Sequence, residues 1–232
     1  MNDLTKGPIT GHLLRFASFI ALSTLFQTLY FLVDLYFVGQ LGRAAIAGVG
    51  LAGNLSMVVL ALTQSLGVGA TALVAQAMGA RDKPRAEAVF NQAFVLSALS
   101  GIGFFLVGFF LRGVYCRALA ADEATAIEGS RYLAWFIPAM TLQFFMVALG
   151  STLRGIGDMK IPTMMGIGTV LINVILAPVL IAGWGTGHPF GVAGAGLATF
   201  LAVVVGCAAF VFYFERPSSP LRFRPREWRP SW

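Results

Sequence analysis

Charge is what this sequence has little of. Of 232 residues only 11% are Asp, Glu, Lys or Arg, against 57% hydrophobic. A water-soluble surface cannot be built from so few charges, which excludes soluble enzymes, nucleic-acid modules and disordered tails. The 2 cysteines, Cys116 and Cys207, lie far apart and match no metal-ligand spacing, so neither a disulfide nor a zinc site is expected. The 2 histidines, His12 and His188, flank apolar runs rather than occupy them, which leaves no histidine placed for a proton relay. What is abundant is apolar: 20 Phe, 27 Gly and a mean hydropathy of +0.79 describe helices whose outward faces meet lipid. The net charge of +6 could be mistaken for a nucleic-acid footprint, but the basic residues fall between apolar runs, as membrane topology requires.

Six runs are long enough to cross about 30 Å of hydrocarbon as helices. They are Leu14 to Val38, Ile46 to Val74, Ala88 to Leu111, Tyr132 to Leu153, Ile161 to Gly183 and Val192 to Phe214. The runs are apolar on nearly every face, which excludes a barrel of alternating strands. The first run is too long for a signal-peptide core and reads as a retained span. The fold expected is therefore an all-α integral membrane six-helix bundle over residues 1–214, with the Arg- and Pro-rich residues 215–232 as a basic cytoplasmic linker or truncated end. Most basic residues, including Arg81, Lys83, Arg85, Arg154 and Lys160, gather on one side of the membrane. By the positive-inside rule both termini are cytoplasmic, in the inner or plasma membrane. The segment from Arg112 to Arg131, with Asp122, Glu123 and Glu128, suggests a short surface helix on the outer face.

Two cytoplasmic turns echo one another: Gly79-Ala80-Arg81-Asp82 before Pro84, and Gly155-Ile156-Gly157-Asp158 before Pro162. Asp82 and Asp158 sit where a helix start needs an acceptor for free backbone N–H groups, a reading that outweighs any catalytic one. A second echo, Ala47-Gly48-Val49-Gly50-Leu51-Ala52 against Ala193-Gly194-Ala195-Gly196-Leu197-Ala198, supplies small residues for close helix contact.

Asp34 is the only carboxylate deep in a span. A charge at mid-membrane costs about 2.5–3.5 kcal/mol on insertion scales, so such a group should face protein or water and hold a proton or a cation. Gln27, Tyr30 and Asp34 follow at i, i+3 and i+7, one helix face. Asn173 in the fifth span and Thr199 in the sixth are polar groups in apolar surroundings that could join them in one polar cavity; each also has a reading as helix-to-helix glue, which is the plainer role for Thr199. Pro138 and Pro178 interrupt the backbone bonding of the fourth and fifth spans and should bend them. No paired acids, histidine cluster or Ser/His arrangement lies in the spans, so an enzyme is not expected.

Leu29-Tyr30-Phe31-Leu32-Val33-Asp34 with Phe37-Val38-Gly39-Gln40-Leu41-Gly42 resembles the first helix of multidrug and toxic compound extrusion (MATE) transporters. Ala75-Gln76-Ala77-Met78-Gly79-Ala80-Arg81-Asp82, Leu153-Arg154-Gly155-Ile156-Gly157-Asp158 and the stretch from Gly191 to Thr199 are similar to later family motifs, in the same order. The resemblance implies one lobe of a two-lobe, alternating-access antiporter that exports amphipathic organic compounds or drugs against a proton or sodium gradient, with no other cofactor. It implies that Asp34 binds the proton or cation and that Gln27, Tyr30, Asn173 and Thr199 surround it. Members often carry a second acid where this chain has Ala177, and a first-helix proline where it has Phe19. A C-terminal lobe, or a second copy of the chain, is the expected partner. The alternatives are a lipid-linked saccharide flippase of the same superfamily, whose cavities tend to be more basic, and a non-transporting membrane scaffold.

Overall fold

The computed structural model describes residues 9–185, 187–216 and 221, apart from the side chains of several residues in the first helix, Tyr30 and His12 among them. Those residues form six α-helices and no strand: α1 Ile9–Gly39, α2 Arg43–Gly79, α3 Lys83–Leu119, α4 Glu123–Gly155, α5 Lys160–Ile181 and α6 Val192–Glu215. Each of the six contains a stretch apolar and long enough to cross a membrane. The proposed linker from residue 215 onward lies almost wholly outside the described residues.

The helices outrun the apolar runs. At 37 residues each, α2 and α3 are about 55 Å long, well beyond the roughly 30 Å that hydrocarbon requires. That excess corrects one expectation. Residues 112–131 form no separate surface helix; they are the end of α3 and the start of α4, which meet at Ala120, Ala121 and Asp122. The charged residues there ride on overhanging helix ends, because a helix satisfies its own backbone and can continue past the apolar band. Asp122 marks the break by accepting the Thr125 amide at 2.7 Å. Both α4 and α5 continue as helices through Pro138 and Pro178.

α4 is the axis of the bundle. It packs on α2, α3, α6 and α5, while α1 closes the outside between α2 and α5. Small residues permit this closeness. Gly67 lies against Ser151 and Val147 of α4, Gly155 lies against Thr71 and Val74 of α2, and Gly196 lies against the backbone of Tyr132. The buried apolar side chains form two clusters. The upper one, at the end carrying the α1–α2, α3–α4 and α5–α6 connections, includes Val38, Ala52, Leu133, Ile137, Ala177, Ile181 and Ala195. The lower one includes Ala77, Phe90, Leu149, Leu153, Val203, Phe210 and Phe214.

Candidate polar site beneath the upper core

Three buried polar residues lie just below the upper cluster. Asp34 is one helical turn below Val38 in α1, Asn173 one turn below Ala177 in α5, and Thr199 one turn below Ala195 in the antiparallel α6. Val38, Ala177 and Ala195 are all completely buried and belong to the same cluster. The shared four-residue offset therefore sets the three polar groups at one level, about 8 to 12 Å below the upper helix ends. Above them the bundle is sealed by apolar side chains. Below Thr199 the next turn brings Val203 of the lower cluster, so the polar level sits between two apolar ones.

Asn173 donates from Nδ2 to Thr199 Oγ1 at 3.2 Å, and the Thr199 hydroxyl also lies 3.1 Å from the Ala195 carbonyl of its own helix. Among the described residues two buried side-chain oxygens have no donor: Asp34 Oδ1 and Asn173 Oδ1. A buried acceptor without a partner costs about 1–3 kcal/mol, more when it is charged. No described Lys or Arg forms an ion pair with Asp34. A carboxyl so placed can be made neutral only by a proton or a cation, and Asn173 Oδ1 is an oxygen of the kind that hard cations coordinate.

Of the other residues singled out in the sequence, Gln27 is exposed. It shares the Asp34 face of α1 two turns lower, so that face is covered at Asp34 and uncovered about 10 Å further down. The Tyr30 side chain lies outside the described residues. Asp82 accepts the Arg85 amide at 3.1 Å, and Asp158 accepts the amides of Lys160 and Ile161 at 3.0 and 3.2 Å. Both carboxylates are thereby occupied with helix starts. Among the described residues no group of three or more His, Cys, Asp or Glu could hold a metal ion, and Cys116 and Cys207 are free thiols.

A second acid is buried, outside the expected spans: Glu87 is 3% exposed. The apolar run opens at Ala88, but α3 itself opens at Lys83, which carries Glu87 into the second turn and onto the buried face with Asn91 and Phe90. Hydropathy sees where lipid begins, not where the helix begins. The signal available was the spacing Glu87, Asn91, with the Asn91 amide returning to the Glu87 carbonyl at 2.8 Å.

The chain is similar to known proteins. Residues 20–179 match the MatE family model. The chain is 28% identical over 205 residues to the probable multidrug resistance protein YoeA of Bacillus subtilis, covering 88% of this chain and 44% of that protein. It is 26% identical over 215 residues to the multidrug export protein MepA of Staphylococcus aureus, covering 92% and 47% respectively. Among solved structures, an outward-facing multidrug resistance MATE transporter of the MOP superfamily superposes with a TM-score of 0.88 at 27% identity, over 97% of this chain and 49% of that one. The chain thus spans about half the length of the relatives it matches, corresponding to one lobe. Sequence and fold together make it an integral membrane protein of the MatE family.

Proposed function

We propose that this chain is the ion-binding lobe of an exporter that moves amphipathic organic compounds, drugs among them, outward in exchange for a proton or sodium ion. The observation that carries the proposal is Asp34 Oδ1, buried and without a donor one turn beneath a sealed apolar layer. Binding an ion there removes a standing electrostatic cost, and releasing it restores that cost. A site of this kind is a store that a gradient can load and a conformational change can empty. The exposed Gln27 face supports a route from Asp34 toward the uncovered side of α1, where a second lobe or second copy would close a shared cleft. The basic residues at the lower turns support an inner-membrane orientation with both termini cytoplasmic.

The test is dye efflux from pump-deficient bacteria expressing the chain alone and together with a C-terminal lobe from a family member. Proton and sodium gradients are imposed separately. Efflux should follow one gradient and collapse in Asp34→Asn while the protein remains inserted and monodisperse. Efflux that survives Asp34→Asn under both gradients overturns the assignment. Crosslinking in membranes separates the partners: dimers of the chain alone support self-pairing, and monomers alone overturn it.

A further inference from the structure

Away from the α1, α5 and α6 residues of the polar level, α2 and α3 line a groove of about 260 Å³ formed by Leu55, Val107, Gly108, Leu111, Val114 and Tyr115, with Arg112 among its lining residues. Apart from Arg112 and Tyr115 these residues are apolar, and the Tyr115 hydroxyl is already spent, donating to the Leu51 carbonyl at 2.8 Å. The volume falls below the 300–1,000 Å³ or so of ordinary small-molecule sites. It suits a slender chain rather than a bulky organic substrate.

Arg112 is the unexplained member. Its guanidinium lies 4.0 Å from the Phe109 ring centroid, and Nη1 donates to the Phe109 carbonyl at 2.7 Å. No carboxylate among the described residues pairs with it. Five N–H donors meet one protein acceptor, leaving a fixed positive charge on a helix flanked by Leu111, Gly113 and Val114. Its depth supplies the missing partner. A bilayer centred on the α3 midpoint at Gly101 puts Arg112 about 16 Å along the axis, at the edge of a hydrocarbon core that extends roughly 15 Å from its centre. Val107 lies only about 9 Å from the midpoint, so the groove runs from the acyl region up to the phosphate layer. Guanidinium binds phosphate oxygens bidentately, and Arg112 is anchored so that it cannot swing away to bulk water without losing both Phe109 contacts.

We propose that the α2–α3 groove is a binding site for an anionic phospholipid, one acyl chain along Leu55 and Val107 and the phosphodiester on Arg112. The site is separate from Asp34, and its occupancy stands or falls independently of transport.

The experiment is native mass spectrometry of the delipidated chain released from detergent, after incubation with phosphatidylglycerol or phosphatidylcholine of matched acyl chains. One phosphatidylglycerol per chain should be retained about tenfold better than phosphatidylcholine, the size of one charge-assisted contact. Arg112→Gln should bring the two lipids level, and Arg112→Lys should keep part of the preference. Leu55→Trp, which fills the groove and leaves the arginine, should weaken phosphatidylglycerol retention by about tenfold. Excess glycerol phosphate should not displace the lipid. Equal retention of the two lipids by the unaltered chain, an undiminished preference in Arg112→Gln, or displacement by glycerol phosphate overturns the proposal. If Arg112→Gln does not fold, unchanged retention in Leu55→Trp overturns it alone.

Discussion

Asn173 spends its amide on Thr199 and thereby turns its own carbonyl, unbonded, into the buried polar level of the bundle. The contact joins α5 to α6 and fixes which end of the Asn173 side chain is left to bind something else. Thr199→Val keeps the shape but removes the acceptor, stranding Nδ2, and should lower stability by about 1–3 kcal/mol. Thr199→Ser should retain the bond and most of the stability. Thermal unfolding in detergent checks this, and the double variant Asn173→Leu with Thr199→Val should recover part of the loss, because neither partner is then left unpaired.

The six spans were legible because lipid demands long apolar runs, and that demand is written residue by residue. Asp34 and Asn173 were legible for the converse reason: a polar residue in such a run needs a purpose. What could not be read is which faces the neighbours cover. Gln27 and Asp34 share a face by periodicity, yet one is exposed and the other buried, because how far neighbouring helices cover that face is set by packing. Glu87 was not singled out because burial at a helix start is set by tertiary packing, which hydropathy does not encode. The Arg112 groove escaped because it requires α2 and α3 to be side by side.

Asp122 gives a pH dependence whose sign can be worked out. The Thr125 amide, and then its hydroxyl, hold the Asp122 carboxyl below its ordinary 3.8. A folded-state value below the unfolded one means that the charged cap stabilises the fold above about pH 4 and that this contribution fades as pH falls through the folded value. Asp122→Asn retains an acceptor without the charge. Melting temperature measured from about pH 6 down to pH 2 should fall less steeply in Asp122→Asn than in the unaltered protein, with the gap between the two curves constant above about pH 4 and closing below it.

At Gly48 the α2–α4 contact leaves room for no more than a hydrogen atom. A Cβ built there lies 2.6 Å from the Gly129 amide nitrogen, backbone that cannot yield as a side-chain tip would. At Gly50, two residues on, a Cβ meets nothing within 4 Å. Gly48→Ala should therefore cost about 1–3 kcal/mol through overpacking, whereas Gly50→Ala should be neutral or slightly stabilising through helix propensity. Detergent melting curves of the pair decide it, and equal losses would show that the close approach at Gly48 is not what holds α2 on α4.

The two lower turns are built alike 76 residues apart, and one of them is built with the wrong residue. Ala80 bonds back to Gln76 and Asp82 to Ala77; Ile156 bonds back to Thr152 and Asp158 to Leu153, the last bond in each turn being 2.9 Å. This is the helix ending in which the penultimate residue takes positive φ. Gly157 does so at 84° without penalty, but Arg81 does so at 59°, where its Cβ crowds the carbonyl. Relief of that strain, about 1–2 kcal/mol, exceeds the extra chain entropy that glycine loses on folding, about 0.5–1 kcal/mol. Arg81→Gly should thus stabilise the bundle slightly and Gly157→Ala should destabilise it by about 1 kcal/mol. Unfolding measurements that find Arg81→Gly destabilising would mean that the arginine side chain contributes more at the lower surface than its backbone costs, and the charge-preserving variant Arg81→Lys would then hold the stability that glycine loses.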